Sequence, residues 1–271
     1  MNKIFTFLTA PVTAFFYPPV YQDAAKSSVG RGVLYSLYLA GLSVVLVMMV
    51  LSARVMPRVD AFIDWTKLNM PAMVWTPEGL SLENGQTSAV LTHPRLGTII
   101  SFDMTKTNVT EADMGKAYVM VTAKKIFLRR APGQIEGRDI TGAGMRSSQQ
   151  LPPRVRINGD IVVKMYQNIK GAMAFVMPFL MIIFFFMFFL VANLFYSLVG
   201  LLFNLMRSER LRYGAIFNLT CFATTAAFTL TWLRVLIPLR ALNWPLVLNV
   251  VINLVFMFFA FKVTDKKKET V

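Results

Sequence analysis

One cysteine and one histidine stand among 271 residues, and their scarcity removes whole classes of chemistry. Cys221 has no second thiol, so no intrachain disulfide forms and no cysteine-based zinc site assembles. His93, in Thr92-His93-Pro94, reads as a turn residue beside proline, because metal or general-base work needs converging partners. Acidic residues are few as well, 14 against 28 Lys and Arg, for a net charge of +14. From Gly171 to Met206 charge of either sign is missing altogether. No acid, base or histidine lies at the centre of any apolar run. Intramembrane proton relay, carboxylate-coupled transport and intramembrane hydrolysis therefore lack their working groups. The reading is no enzyme, no metal and no cofactor. The basic excess comes without a nucleic-acid-binding motif, so nucleic acid is not an expected partner.

What is present is apolar surface. The chain is 55% hydrophobic and only 15% charged, against about 25% charged in an average soluble domain. The excess lies in blocks near 32–51, 171–206 and 214–261, whereas 52–170 reads as ordinary soluble sequence. A bilayer core of ~30 Å takes roughly 20 apolar residues in a helix. The sequence thus predicts an α-helical integral membrane protein of about four transmembrane helices. A small β-rich (α+β) extracytoplasmic domain is inserted between the first and the second.

In chain order, 1–31 is an interfacial N-terminal segment, aromatic-rich, with a turn at Pro18-Pro19. Residues 32–53 form the first span, and Gly32, Ser36, Ala40 and Ser43 give it a small-residue face for close helix approach. Residues 54–170 form the extracytoplasmic domain. Leu80 and Leu82 alternate with polar neighbours ahead of an Asn84-Gly85 hairpin turn. Further strands are predicted at Ser88–Leu91, Thr98–Phe102, Ala117–Thr122, Ile126–Leu128 and Val155–Ile157. One helical turn follows the cap Thr110, at Glu111–Met114. Pro132-Gly133, Gly142, Gly144 and Pro152-Pro153 mark a long loop. Residues 171–206 are one long span, entered helically from about Ile161 and carrying Pro178. A cytoplasmic loop at 207–213 precedes the third span at 214–233. An outer loop at 234–244, a fourth span at 245–262 and a basic tail at 263–271 complete the chain.

Lys3, Lys26, Arg31, Arg207, Arg210, Arg212 and the lysines at 266–268 fall on one side of this arrangement. By the positive-inside tendency both termini are predicted to face the cytoplasm.

Two constellations are candidate sites. Asn193, Ser197 and Asn204 recur on one face of the second span. Asn218 and Thr225 in the third, with Asn249 and Asn253 in the fourth, extend a polar seam. That seam is either a polar path or lipid-headgroup groove, or interhelical hydrogen bonding, and the residue types favour the last, since amides and hydroxyls commonly join helices in bundles. In the domain, Lys124, Lys125, Arg129 and Arg130 flank Phe127 on a strand with basic ends, a candidate docking strand or a guarded edge. Membrane lipids and an envelope or transporter protein are the expected partners. The acids Asp103, Glu111, Asp113 and Asp139 show no catalytic spacing.

Several short stretches carry a resemblance: Phe16-Tyr17-Pro18-Pro19-Val20-Tyr21-Gln22-Asp23, Gly32-Val33-Leu34-Tyr35, Glu78-Gly79-Leu80-Ser81, Thr98–Asp103 and Val119–Leu128. In this order they resemble the bacterial membrane family known as domain of unknown function 1189, and more distantly the Yip-like membrane proteins. The resemblance implies several spans bracketing one extracytoplasmic domain, with no established activity. Here Met104 separates Asp103 from Thr105, where the family pattern sets a Thr directly after the Asp.

Overall fold

The computed structural model describes residues 3–131, 133–141, 154–237 and 246–265. Two compact units emerge, one of Met1–Val55 with Ala174–Val271 and one of Met56–Met173. Among the described residues, four helical stretches are long and apolar enough to cross a membrane: Val29–Asn69, Gly159–Leu205, Tyr213–Leu236 and Val247–Thr264.

The first unit holds α1 (Lys3–Thr13), α2 (Pro19–Ala25), α3 (Val29–Val50), α7 (Tyr213–Ala223), α8 (Thr225–Leu236) and α9 (Leu246–Thr264). It also holds the part of α6 (Gly159–Leu205) from Ala174 onward. The Pro18-Pro19 pair, expected as a turn, also starts a helix. Pro19 sits in the first turn of α2, where a missing N–H costs nothing. The N-terminal segment is packed among the other helices: Ala10, Ala14, Val20, Tyr21 and Ala24 are buried with Tyr35, Leu219, Phe222 and Met257. Tyr35 lies flat on Phe222 at 4.0 Å between ring centroids. The small-residue face of α3 behaves as its spacing predicts. Gly32, Ser36, Ala40 and Ser43 are all buried, and a Cβ on Gly32 would lie 2.4 Å from Asn218 Oδ1. The third predicted span bends between α7 and α8 at Thr224, which closes one helix and opens the next. The predicted outer loop, with Pro238 and Arg240, lies outside the described residues beyond Ile237, as does the tail beyond Asp265.

Helix α3 does not stop where the expected span stops. A π-helical turn, Leu51–Val55, leads into α4 (Met56–Asn69). Pro57 has no N–H for an i−4 carbonyl, and a widened turn just before it absorbs that loss. The predicted β-rich region of 54–170 thus opens with a helix, and its first strand begins at Met73.

In the second unit, α4 runs beside the start of α6. Tyr166 Oη donates to Asp60 Oδ1 at 2.6 Å, and Lys170 Nζ reaches the same carboxylate at 2.7 Å. Asn158 Oδ1 accepts the Ile161 N–H at 3.1 Å and so caps α6. Helix α6 then runs unbroken for 47 residues through Pro178, about 70 Å at 1.5 Å per residue. The helix is thus continuous from Gly171 to Leu205, with no turn that would divide it.

The strands of this unit form two sheets. In the first, β1 (Met73–Thr76) lies between β2 (Gly79–Leu82) and β8 (Val155–Ile157), antiparallel to both. The second runs β3 (Ser88–His93), β4 (Gly97–Asp103), β5 (Val119–Val121), β6 (Lys125–Ala131) and β7 (Gln134–Asp139) in that spatial order. All its pairs are antiparallel except β4 with β5. That parallel pair requires a crossover, which carries α5 (Glu111–Met114). Thr110 and Asp113 cap α5 reciprocally, as Thr110 predicted. The core gathers Met73, Trp75, Leu80, Leu82, Leu91, Phe102 and Val121.

Asn84-Gly85 is not a hairpin turn. It lies in a 3-10 turn between β2 and β3, which belong to different sheets. The hairpin of β2 closes instead onto β1, with Thr76 opposite Gly79. Of the predicted long loop, Gly133 forms the β6–β7 turn with a φ of 79°. Pro132, Gly142, Gly144, Pro152 and Pro153 lie outside the described residues.

Candidate functional site

Asn193, Ser197 and Asn204 of α6 are buried, and nearly every polar atom on them has a protein partner. Asn193 is 1% exposed. Its amide donates to Ser36 Oγ at 3.1 Å, and its oxygen accepts from Thr224 Oγ1 at 2.9 Å. Ser197 turns back to the Asn193 carbonyl. Three residues on, a Cβ at Gly200 would meet Ile216 at 2.8 Å and Phe261 at 3.2 Å, so glycine sets the approach of α6 to α7 and α9. Asn204 then binds both backbone groups of Leu211, at 3.2 and 2.9 Å, and folds the link to α7 onto the helix end.

Asn218 is the densest junction. Its amide serves the carbonyls of Ala24, Ser27 and Ser28 at 3.3, 2.9 and 2.9 Å, while its oxygen accepts the Gly32 N–H at 3.1 Å. One side chain thereby ties α7 to the end of α2 and the start of α3, where the helical ladder leaves backbone groups under-satisfied. Thr225 bonds Tyr35 Oη at 2.9 Å. Asn253 donates to Tyr196 Oη at 3.1 Å, but its buried oxygen has no partner among the described residues. Asn249 is half-buried on the same helix. The seam is therefore a set of separate helix junctions. Ser36, Tyr196 and Tyr35 complete them, partners the polar spacing alone did not name.

Two arginines that sequence reasoning treated as span-end charge, or passed over, also hold the bundle. Arg54 donates to the Val235 and Leu236 carbonyls at 2.9 and 2.7 Å, closing the C-terminus of α8. Arg207 does the same for α9, donating to the Phe261 and Thr264 carbonyls and, at 2.8 Å, to Thr264 Oγ1. A cation at a helix C-terminus meets both the free carbonyls and the negative end of the helix dipole.

In the second unit the candidate docking strand β6 is interior, paired with β5 on one side and β7 on the other. Its reading as a guarded edge is thereby overturned, since both sides of its backbone are in the ladder. Phe127 is buried under Met114 and Met120. Arg129 donates to the Gly115 carbonyl at 2.8 Å. Arg130 pairs with Glu136, and Lys125 lies 3.9 Å from Asp139. Lys124 and Arg130 alone of the five are exposed. The true edges of this sheet are β3 and β7.

The acids are occupied locally. Asp103 accepts from Thr105 N–H and Oγ1 at 3.1 and 2.6 Å, across the intervening Met104. Asp113 caps α5 and binds Lys106; the Lys106 ammonium, then the Thr110 hydroxyl, hold its carboxyl well below the usual range. Glu136 is likewise lowered by the Arg138 guanidinium beside it. Glu111 accepts the Gly133 N–H at 3.1 Å. His93 is the turn residue its context predicted, with Nδ1 accepting from the amides of Arg95 and Leu96 at 3.1 and 3.3 Å.

The profile of the family described as "Protein of unknown function (DUF1189)" matches residues 10–261. The chain belongs to this family. The DUF1189 match takes in both units, so the helices and the sheets are parts of one family pattern. One of the stretches that first pointed to DUF1189 has a plain geometric reason. In Glu78-Gly79-Leu80-Ser81, Gly79 has a φ of 148°, and a Cβ there would lie 2.4 Å from the Ala123 carbonyl oxygen. The Leu80 N–H donates to that same oxygen at 2.7 Å. Neither a curated protein nor a solved structure matches this DUF1189 chain.

Proposed function

We propose that the protein is a non-enzymatic accessory of the bacterial inner membrane, anchored by its helices, whose strand-bearing unit docks an envelope or transporter protein. In this reading both termini are cytoplasmic and residues 54–170 are extracytoplasmic. The observation that carries the proposal is the contrast between the two edges of the five-stranded sheet. Edge β7 bears Glu136, Arg138 and Asp139, charges of the kind that discourage strand pairing. Edge β3, Ser88-Ala89-Val90-Leu91-Thr92-His93, carries no acid, lysine, arginine, proline or glycine. Its exposed face holds Ser88, Val90 and Thr92, with Val90 62% exposed. An open, uncharged edge suits an added strand from a partner. It replaces β6 as the docking element.

Support for the non-enzymatic part comes from the acids Asp103, Glu111 and Asp113, each engaged in turn, cap or loop bonds. Transport or lipid movement along the seam is the rival reading, and the hydrogen bonding of Asn193, Asn204 and Asn218 weighs against it. The test places a photo-crosslinking residue at Val90 or at Arg138 in the full chain in intact cells. One defined protein adduct from position 90, none from 138, and its loss on Thr92→Lys are expected. Equal adducts from both edges, or none from position 90, contradict the proposal.

A further inference from the structure

The ends of α2, α6 and α9 meet within the first unit at a cleft of about 350 Å³, walled in part by Lys26, Arg207, Glu209, Arg210 and Asp265. A second groove of about 220 Å³ adjoins it, lined by Phe203, Met206, Phe258 and Phe261 and sharing Arg207 and Asp265 with the first. A cleft of both charges thus opens beside an apolar groove, at the end of helices long enough to cross a bilayer.

The charges in the cleft differ in what they already hold. Arg207 is 5% exposed and committed to the end of α9, and Asp265 is shared between Ser208, at 3.0 Å, and Arg207, at 3.7 Å. Lys26, Glu209 and Arg210 are exposed. Among the described residues their side chains have no hydrogen bond or ion pair. The cleft therefore offers an ammonium, a guanidinium and a carboxylate whose polar atoms make no hydrogen bond among the described residues, with the Glu209 carboxylate also in the field of Arg207. A purely anionic group would satisfy Lys26 and Arg210 but face Glu209 and Asp265. A zwitterion with a phosphate and a primary ammonium satisfies both signs. A quaternary ammonium has no N–H to give a carboxylate, so the charge-assisted bond is lost.

We propose that this cleft binds phosphatidylethanolamine. The phosphate lies between Lys26 and Arg210, the ammonium faces Glu209, and an acyl chain follows the groove of Phe203, Met206 and Phe258. The inference stands apart from strand docking, since it uses only the first unit.

The full chain is reconstituted in nanodiscs containing equimolar phosphatidylethanolamine, phosphatidylglycerol and phosphatidylcholine, and retained lipid is read by native mass spectrometry. Phosphatidylethanolamine is expected to be retained above the other two. Glu209→Gln should lower its retention about tenfold, one charge-assisted hydrogen bond, and leave the choline lipid unchanged. Lys26→Gln with Arg210→Gln should lower retention of the ethanolamine and glycerol lipids alike. All three side chains are exposed, and unchanged thermal melts verify that the variants fold. The wild-type competition decides by itself should a variant fail. Phosphatidylglycerol held as tightly as phosphatidylethanolamine, or full ethanolamine-lipid retention in a folded Glu209→Gln, would overturn the proposal. Displacement of the lipid by glycerophosphoethanolamine at equal concentration would overturn the role of the groove.

Discussion

At the scale of single residues, the helical unit is held by carboxamides and arginines placed at helix ends. Asn218 matters most, because it makes four hydrogen bonds to backbone groups at the end of α2 and the start of α3. Interhelical polar contacts in membranes average about 0.6 kcal/mol, with a maximum near 1.7. Asn218→Ala is accordingly expected to cost about 1–2 kcal/mol in detergent unfolding, and Thr224→Ala about 0.6 kcal/mol. Equal losses for the two would contradict the account of Asn218 as a junction. In the sheet unit, Asp113 gives a pH dependence of definite sign. Its carboxyl is held below the ordinary range when folded. It therefore contributes full stability above the unfolded value of about 3.9, and that contribution is lost as pH falls from there through the depressed value. Acid unfolding followed by tryptophan fluorescence should show a shallower loss of stability with falling pH in Asp113→Asn than in the wild type, the remainder coming from lowered carboxyls such as Glu136. The polar stripe Asn193, Ser197, Asn204 was legible because helical spacing alone puts it on one face. Its partners were not: Ser36 lies 157 positions from Asn193, and no local pattern records such a pairing.

At the scale of elements, strands that alternate were legible and strands that do not were missed. Ser88–Leu91 and Thr98–Phe102 alternate or are β-branched, and both appear within β3 and β4. Strand β1, Met73-Val74-Trp75-Thr76, is buried on consecutive residues and sits between Pro71 and Pro77, so it offers no two-residue period. The glycine at the β1–β2 hairpin makes a sharper claim. Gly79 combines a φ of 148° with a carbonyl 2.4 Å from where a Cβ would be, so Gly79→Ala should destabilise this unit by about 2 kcal/mol or more. Gly85→Ala, whose Cβ would meet nothing within 4 Å, should cost less in the same chemical-denaturation series. A reversed order would show that backbone crowding against Ala123 is not what Gly79 relieves.

At the scale of the whole molecule, composition alone foretold apolar helices around a strand-rich insert, because a 36-residue stretch without charge leaves a helix few other environments. Sidedness is a separate matter, carried by the basic residues near the span ends. The proposed arrangement has an even number of crossings, with the sheets on one side of the membrane and both chain ends on the other. The direct measurement is cysteine accessibility in intact cells, starting from Cys221→Ala so that the chain has no other thiol. Val90→Cys should react with a membrane-impermeant maleimide added outside, and Arg210→Cys should react only after permeabilisation. Labelling of Arg210→Cys from outside, with Val90→Cys protected until the membrane is opened, would contradict it.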